Sequence, residues 1–145
     1  MEKQEIFNLM NNNPVFYLAT MEDSQPRVRG MLLYKVDEDG IIFHTGTMKD
    51  LYQQISACPK VEMCFNDFKA GVQVRVRGTL EEIKENKVKD EISEHPSRNF
   101  LKAWKESGPL QDFYSTFAVF CLKDGIANTW TMVDNFKPKA DIYLG

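Results

Sequence analysis

The run VQVRVRGTLEEI, residues 72–83, restricts the fold more than any other stretch of the chain. Its alternation puts Val72, Val74 and Val76 on one face and Gln73, Arg75 and Arg77 on the other. A period of two belongs to a strand that is buried on one side and wet on the other. Such a strand asks for an antiparallel sheet with one covered face. Its neighbours are readable too. VFYLAT (15–20), RVRGMLLYKV (27–36) and IIFHT (41–45) are rich in β-branched and aromatic residues. MEDSQP and DEDG supply the turns between them, which predicts a three-stranded meander. VEMCFND (61–67) precedes the alternating strand across a turn at 68–71. DFYSTFAVFCL (112–122) and IANTWTMV (126–133) read as a closing hairpin around Lys123, Asp124 and Gly125. Six or seven mostly antiparallel strands tend to close into a barrel or sandwich, because closure hides their edges.

Helices are inserted between the strands. Ile6, Phe7 and Met10 stand at helical spacing, and Asn11, Asn12, Asn13 and Pro14 end that helix. Leu51 and Ile55, four apart, predict a second helix over 48–57, closed by Pro59. Residues 84–106 are charged and helical, with a break at His95 and Pro96. The tail from Asp134 reads as loop. The chain of 145 residues shows no linker, repeat or low-complexity tract, so one domain, 1–145, is expected.

Charge and cysteine usage narrow the function. A net charge of -3 argues against nucleic acid as partner, because phosphate neutralisation needs a basic face. No apolar run reaches the roughly 18 residues of a membrane span. Cys58, Cys64 and Cys121 are odd in number and lack Cys-x-x-Cys spacing, and His44 and His95 lie far apart, so no metal site is expected. MEKQEIFNLMNNN has no basic region followed by an apolar one. With reduced thiols, that predicts a cytoplasmic protein.

The stretch FHTGTMKDLYQQI, residues 43–55, passes from strand to helix with two threonines and a lysine at the junction. A helix N-terminus offers free N–H groups and partial positive charge. With Thr47 as N-cap, Asp50 three residues on, a hydroxyl from Thr45 and a point charge from Lys49, the junction suits a phosphate monoester. A capped helix with a solvated lysine has the same sequence signature. RVRGM places Arg27, Arg29 and Met31 on one face and Val28 and Gly30 on the other. Arginine's planar fork suits phosphate, and a strand glycine often marks a close approach. The same pattern serves a charged edge strand. Gln73 can both donate and accept, which suits the amide-like edge of a flavin ring, and Trp130 can stack on one, but an ordinary exposed face with cross-strand ion pairs and a core tryptophan fit the same residues. There is no Gly-x-Ser-x-Gly, Walker loop or dinucleotide fingerprint.

The order of these segments is more specific than any one of them. A short helix, then PVFYLATMEDSQPRVRGM, an acidic hairpin, IIFHTGTMKDLYQQISACPKVEMCF and VQVRVRG resemble the pyridoxamine 5'-phosphate oxidase-like family over about residues 5–133. The resemblance implies a mainly β fold with inserted helices, an antiparallel split β-barrel, usually a homodimer with FMN between subunits. It places Arg27, Val28, Arg29, Gly30 and Met31 beside the flavin and its phosphate. It places Phe43, His44, Thr45, Thr47 and Lys49 at the phosphate and ribityl chain, and Gln73 and Trp130 near the ring. No arginine follows Arg98, whereas the oxidase proper ends in a basic segment that grips its pyridoxal substrate. The chain is thus most similar to the short members of the family and to the nitroimidazole-resistance reductases. An FMN-dependent oxidoreductase of a small molecule is expected, with NAD(P)H as a candidate donor. The alternative is a split barrel that binds haem, through His44 or His95, or a deazaflavin, without FMN turnover.

Overall fold

The structure, a computed structural model, describes residues 1–145. Helix α1 (Lys3–Asn12) precedes strands β1 (Val15–Glu22), β2 (Gln25–Asp37) and β3 (Gly40–Gly46). Helix α2 (Asp50–Ala57) leads to β4 (Lys60–Asp67) and β5 (Val72–Ile83). Then come α3 (Asn86–Glu94), a 3-10 turn (Pro96–Arg98), α4 (Leu101–Ser107) and α5 (Phe113–Thr116). Strands β6 (Phe117–Leu122), β7 (Ile126–Thr131) and the short β8 (Ile142–Tyr143) complete the chain.

All pairings are antiparallel, in the order β4-β1-β2-β3-β6-β5-β7-β8, and β4 also pairs with β5. That last pairing closes a six-stranded barrel. The meander forms as expected, but its first turn is much tighter than MEDSQP suggested. The β1–β2 ladder runs to Glu22 and Gln25, with Asp23 in the left-handed region at φ 53. Aspartate tolerates that region because its short side chain bonds locally.

The expected closing hairpin does not form. β6 pairs with β3 and β5, while β7 pairs with β5 and β8. β5 is long enough to serve both along one edge. Val72 to Arg77 face β7, and Leu80 to Ile83 face β6. Residues 113–116, assigned to the strand, are instead helical. The tail is not all loop: β8 pairs with β7, and Leu144 is buried in the core.

The barrel interior holds Phe16, Leu18, Phe43, Met63, Phe65, Val74 and Val76, with Phe16 stacked on Phe65 at 4.7 Å. Ile6, Phe7, Leu9 and Met10 of α1 join this cluster, which is why that helix is amphipathic. A second cluster lies outside the barrel, where Ile42, Phe117, Val119 and Cys121 meet Ile92, Leu101, Leu110 and Phe113. β6 is therefore buried on both faces, and its sequence FAVFCL is continuously apolar.

Candidate functional site

β2 and β3 part company after the Leu33–Phe43 pair. Residues 25–32 of β2 pair only with β1, and residues 44–46 of β3 pair only with β6. This opening is the split in the barrel, and two cavities flank it. The first, 720 Å³, lies between β2 and the start of α2 and is lined by Glu22, Arg27, Arg29, Lys49, Asp50 and Gln54 among others. The second, 470 Å³, lies between β2, β3 and α4, with His44, Thr45, Phe100, Trp104 and Leu110 on its wall. They share Gly30, Met31, Met48 and Lys49, and both fall in the range of small-molecule sites.

A polar network orients the first cavity. Arg29 donates from one terminal nitrogen to Leu18 O at 3.1 Å and Thr20 Oγ1 at 2.7 Å, and from the other to Gln54 Oε1 at 2.6 Å. Thr20 Oγ1 also donates to Gln54 Oε1 at 2.6 Å. Gln54 Nε2 reaches Glu22 at 3.3 Å, and Glu22 accepts from Arg27 at 2.9 Å. The Arg27 guanidinium, helped by the Gln54 amide, holds the Glu22 carboxyl below its ordinary range. Lys49 is exposed and makes no ion pair. Arg27, Arg29 and Lys49 thus face Glu22 and Asp50, leaving positive charge in an acidic protein.

Thr45 is buried, 8% exposed, and faces inward on β3 opposite Ala118. Its Oγ1 is the one buried side-chain polar atom without a hydrogen-bond partner. An orphan hydroxyl costs about 1–3 kcal/mol unless something meets it. On the wall of a cavity, a ligand can. Its neighbour His44 accepts a hydrogen bond at Nε2 from Arg98 Nε at 2.8 Å. Burial, with Arg98 and Lys49 close by, pulls the His44 pKa down to about 4.

The split brings together Arg27, Val28, Arg29, Gly30, Met31 and Lys49 at the first cavity, and Gly30, Met31, His44, Thr45 and Lys49 at the second. Four expected residues stand elsewhere. Phe43 is wholly buried in the barrel core, stacked near Phe120 at 5.8 Å, so its side chain reaches neither cavity. Thr47 is not the N-cap; Lys49 occupies that position, without a side-chain cap bond. The reason is that the β3 edge continues past Gly46. Thr47 N donates to Thr116 O at 2.9 Å and Thr47 Oγ1 to Ser115 O at 3.4 Å, which delays the helix. Gln73 and Trp130 are register partners on β5 and β7 and line neither cavity. Gln73 Nε2 donates to Asn66 Oδ1 at 3.1 Å, and Trp130 Nε1 to Asn135 Oδ1 at 2.8 Å.

Sequence reasoning passed over Thr20, Gln54 and Arg98. Thr20 continues the inward alternation of Phe16 and Leu18, and Gln54 lies three residues after Leu51 on the buried side of α2. A polar residue at a core-facing position is the signal that would have found both. Arg98 carries no such spacing signal.

Residues 2–118 match the family model described as pyridoxamine 5'-phosphate oxidase. The chain belongs to that family. It is 34% identical over 101 residues to a pyridoxine/pyridoxamine 5'-phosphate oxidase of Brucella ovis, covering 68% of this chain and 49% of the relative. The chain therefore spans about half the length of the curated relatives it matches. Among solved structures, a NimC/NimA family protein from Clostridium acetobutylicum superposes with a TM-score of 0.70 at 22% identity, covering 98% of this chain and 93% of that one. A pyridoxamine 5'-phosphate oxidase-related, FMN-binding protein from Nostoc punctiforme gives 0.71 at 15% identity, covering 98% and 95%. A FAD-binding protein from Mesorhizobium loti gives 0.65 at 18%, covering 90% and 96%. At these identities the structural neighbours establish the split-barrel fold of the pyridoxamine 5'-phosphate oxidase family. No helix is long and apolar enough to cross a membrane.

Proposed function

We propose that the chain is an FMN-binding oxidoreductase acting on a small molecule, with the flavin seated in the barrel split. The observation that supports it most is the conjunction of the Arg27, Arg29 and Lys49 cleft with the unpartnered Thr45 hydroxyl at one opening. Arg29, with its fork held by Thr20 and Gln54, and Lys49 at the start of α2 would take the phosphate. Thr45 Oγ1 would meet the ribityl chain or ring. Gly30 leaves the strand open, since a Cβ there would meet nothing closer than Tyr17 at 4.0 Å. A bound flavin supplies the hydride and electron chemistry, and the protein supplies binding and orientation. NAD(P)H would reach it through the open cleft.

The same reading favours a homodimer. Gln73 and Trp130 stand apart from the cleft of their own chain, so they would reach a flavin only from a second copy. Val15, Tyr17 and Val28 are exposed at 63%, 49% and 69% on neighbouring strands β1 and β2, an apolar surface suited to that contact.

The test is an absorption spectrum before and after FMN is added and the protein desalted, with sedimentation on the same sample. Twin flavin bands on a dimer are expected. A Soret band or loss of all flavin would refute the cofactor, and flavin retained by a monomer would refute the shared site.

A further inference from the structure

The second cavity has a character unlike the first. The charged residue on its wall is Lys49, which the phosphate cleft already claims, and no carboxylate lines it. Phe100 and Trp104 project from the α4 segment at 45% and 48% exposure, with ring centroids 6.0 Å apart at 75°. Two large aromatic faces left this open at a cavity rim are stacking surfaces without an occupant. Gly108 makes the roof possible. A Cβ there would lie 2.8 Å from Trp104 Cα, so only glycine lets the chain fold back and bring Leu110 over the cavity.

Besides Lys49, the polar side chains on the cavity wall are Thr45, which the flavin reading already uses, and His44, which is held by Arg98. Arg98 is buried, 3% exposed, and its donors go to His44 Nε2 at 2.8 Å, Leu33 O at 2.8 Å and Ser97 Oγ at 3.2 Å. Its guanidinium also lies 5.2 Å from the Tyr34 ring centroid and 5.8 Å from that of Phe100. A guanidinium can only donate, so Nε2 of His44 must accept, and the ring proton must sit on Nδ1. Nδ1 has no protein partner, and it is not among the sealed, unpartnered atoms. His44, a residue of the cavity wall, therefore carries a fixed N–H donor that no protein group uses. Arg98 is a positioning residue that acts through His44 and lends the cavity no free charge.

We propose that this cavity seats a second, uncharged planar molecule, a quinone-class carbonyl compound, stacked on Trp104, with the nearly perpendicular Phe100 ring bordering it and one carbonyl oxygen on His44 Nδ1–H. Calling that molecule the partner of a flavin rests on the function proposed above. So does the preference of the cavity for a neutral ring, because only a flavin phosphate takes Lys49 out of it. The phosphate esters in the Brucella relative's name would bring a dianion here, and Arg98 is already committed.

Calorimetric titration of duroquinone, with pyridoxine 5'-phosphate as the anionic comparison, tests this on flavin-loaded and flavin-free protein. Duroquinone should bind about tenfold more tightly than the phosphate ester to the loaded protein, the margin of one missing charge-assisted hydrogen bond. Trp104→Ala should weaken duroquinone about tenfold with FMN affinity unchanged. His44→Phe should weaken it about fivefold. In ¹⁵N spectra His44 should be the Nδ1–H tautomer from pH 6 to 8. Equal binding of the two probes, no effect of Trp104→Ala, loss of FMN in that variant, or an Nε2–H tautomer would each overturn the proposal. If the wild type fails to retain FMN, the flavoprotein reading falls, and the effect of Trp104→Ala on duroquinone binding to flavin-free protein still decides whether the cavity stacks a planar ring.

Discussion

Lys49→Ala separates a phosphate cradle from an ordinary exposed lysine. Lys49 caps α2 by position, points into both cavities and pairs with no carboxylate, so its removal strands no partner and leaves stability unchanged. What remains in the cleft is Arg27 and Arg29 against Glu22 and Asp50, which removes the excess positive charge. A hydrogen bond to a charged group is worth about 1.5–3 kcal/mol, and the exposed position of Lys49 favours the low end. About 1.5 kcal/mol is about a tenfold loss in FMN affinity. Flavin fluorescence quenching measures it, with riboflavin as the control, since riboflavin has the ring and ribityl chain without the phosphate. FMN affinity should fall about tenfold and riboflavin affinity should not change. The deficit in FMN binding should shrink as salt is raised, because the lost interaction is a screened charge pair. An equal loss for both ligands would show that Lys49 shapes the cleft instead of holding phosphate. No loss for either would remove it from the site.

Three further perturbations probe the same opening. Arg29→Ala removes the donor shared by Leu18, Thr20 and Gln54, at a cost of about 1–3 kcal/mol. Scanning calorimetry should show a Tm lower by about 2–4 °C per kcal/mol; an unchanged Tm would refute the structural half of its role. Glu22→Gln frees Arg27 from its carboxylate and should tighten FMN binding, so weaker binding in a titration would place Glu22 on the ligand's side. His44, with its pKa lowered to about 4 against an ordinary 6.5, is protonated first in the unfolded chain. Its contribution is therefore complete above pH 6.5 and is lost as pH falls toward 4, on the order of 3 kcal/mol. Urea unfolding of His44→Gln, which keeps an acceptor for Arg98, should fall less than wild type between pH 7 and pH 4.5; parallel curves would refute the assignment.

Legibility followed the range of the interactions involved. The β1–β2–β3 meander and the full extent of β5 were readable because alternation and turn chemistry are local. The apparent hairpin of β6 and β7 misled for the same reason. Its turn residues were real, but a strand of 12 residues offered each partner a separate half of its edge, and no local signal reports that β5 would be shared. Thr47 failed as a cap in the same way, since its backbone found a better partner in Thr116, far along the chain.

The site itself shows where such reading stops. Arg29, Thr45 and Lys49 could be named because each sits on a strand or helix end whose direction the sequence dictates. The aromatic cavity could not, because it depends on residues 98–110 folding back onto β3, and on Arg98 crossing to His44 and to Leu33. That crossing occurs where it does because β2 and β3 have separated. Leu33 O and His44 stand on the two strands at the point of separation, and an arginine is long enough to bond both. The split in the barrel thus also creates the need for Arg98. By meeting that need, Arg98 fixes the proton of His44 on Nδ1, the nitrogen without a protein partner.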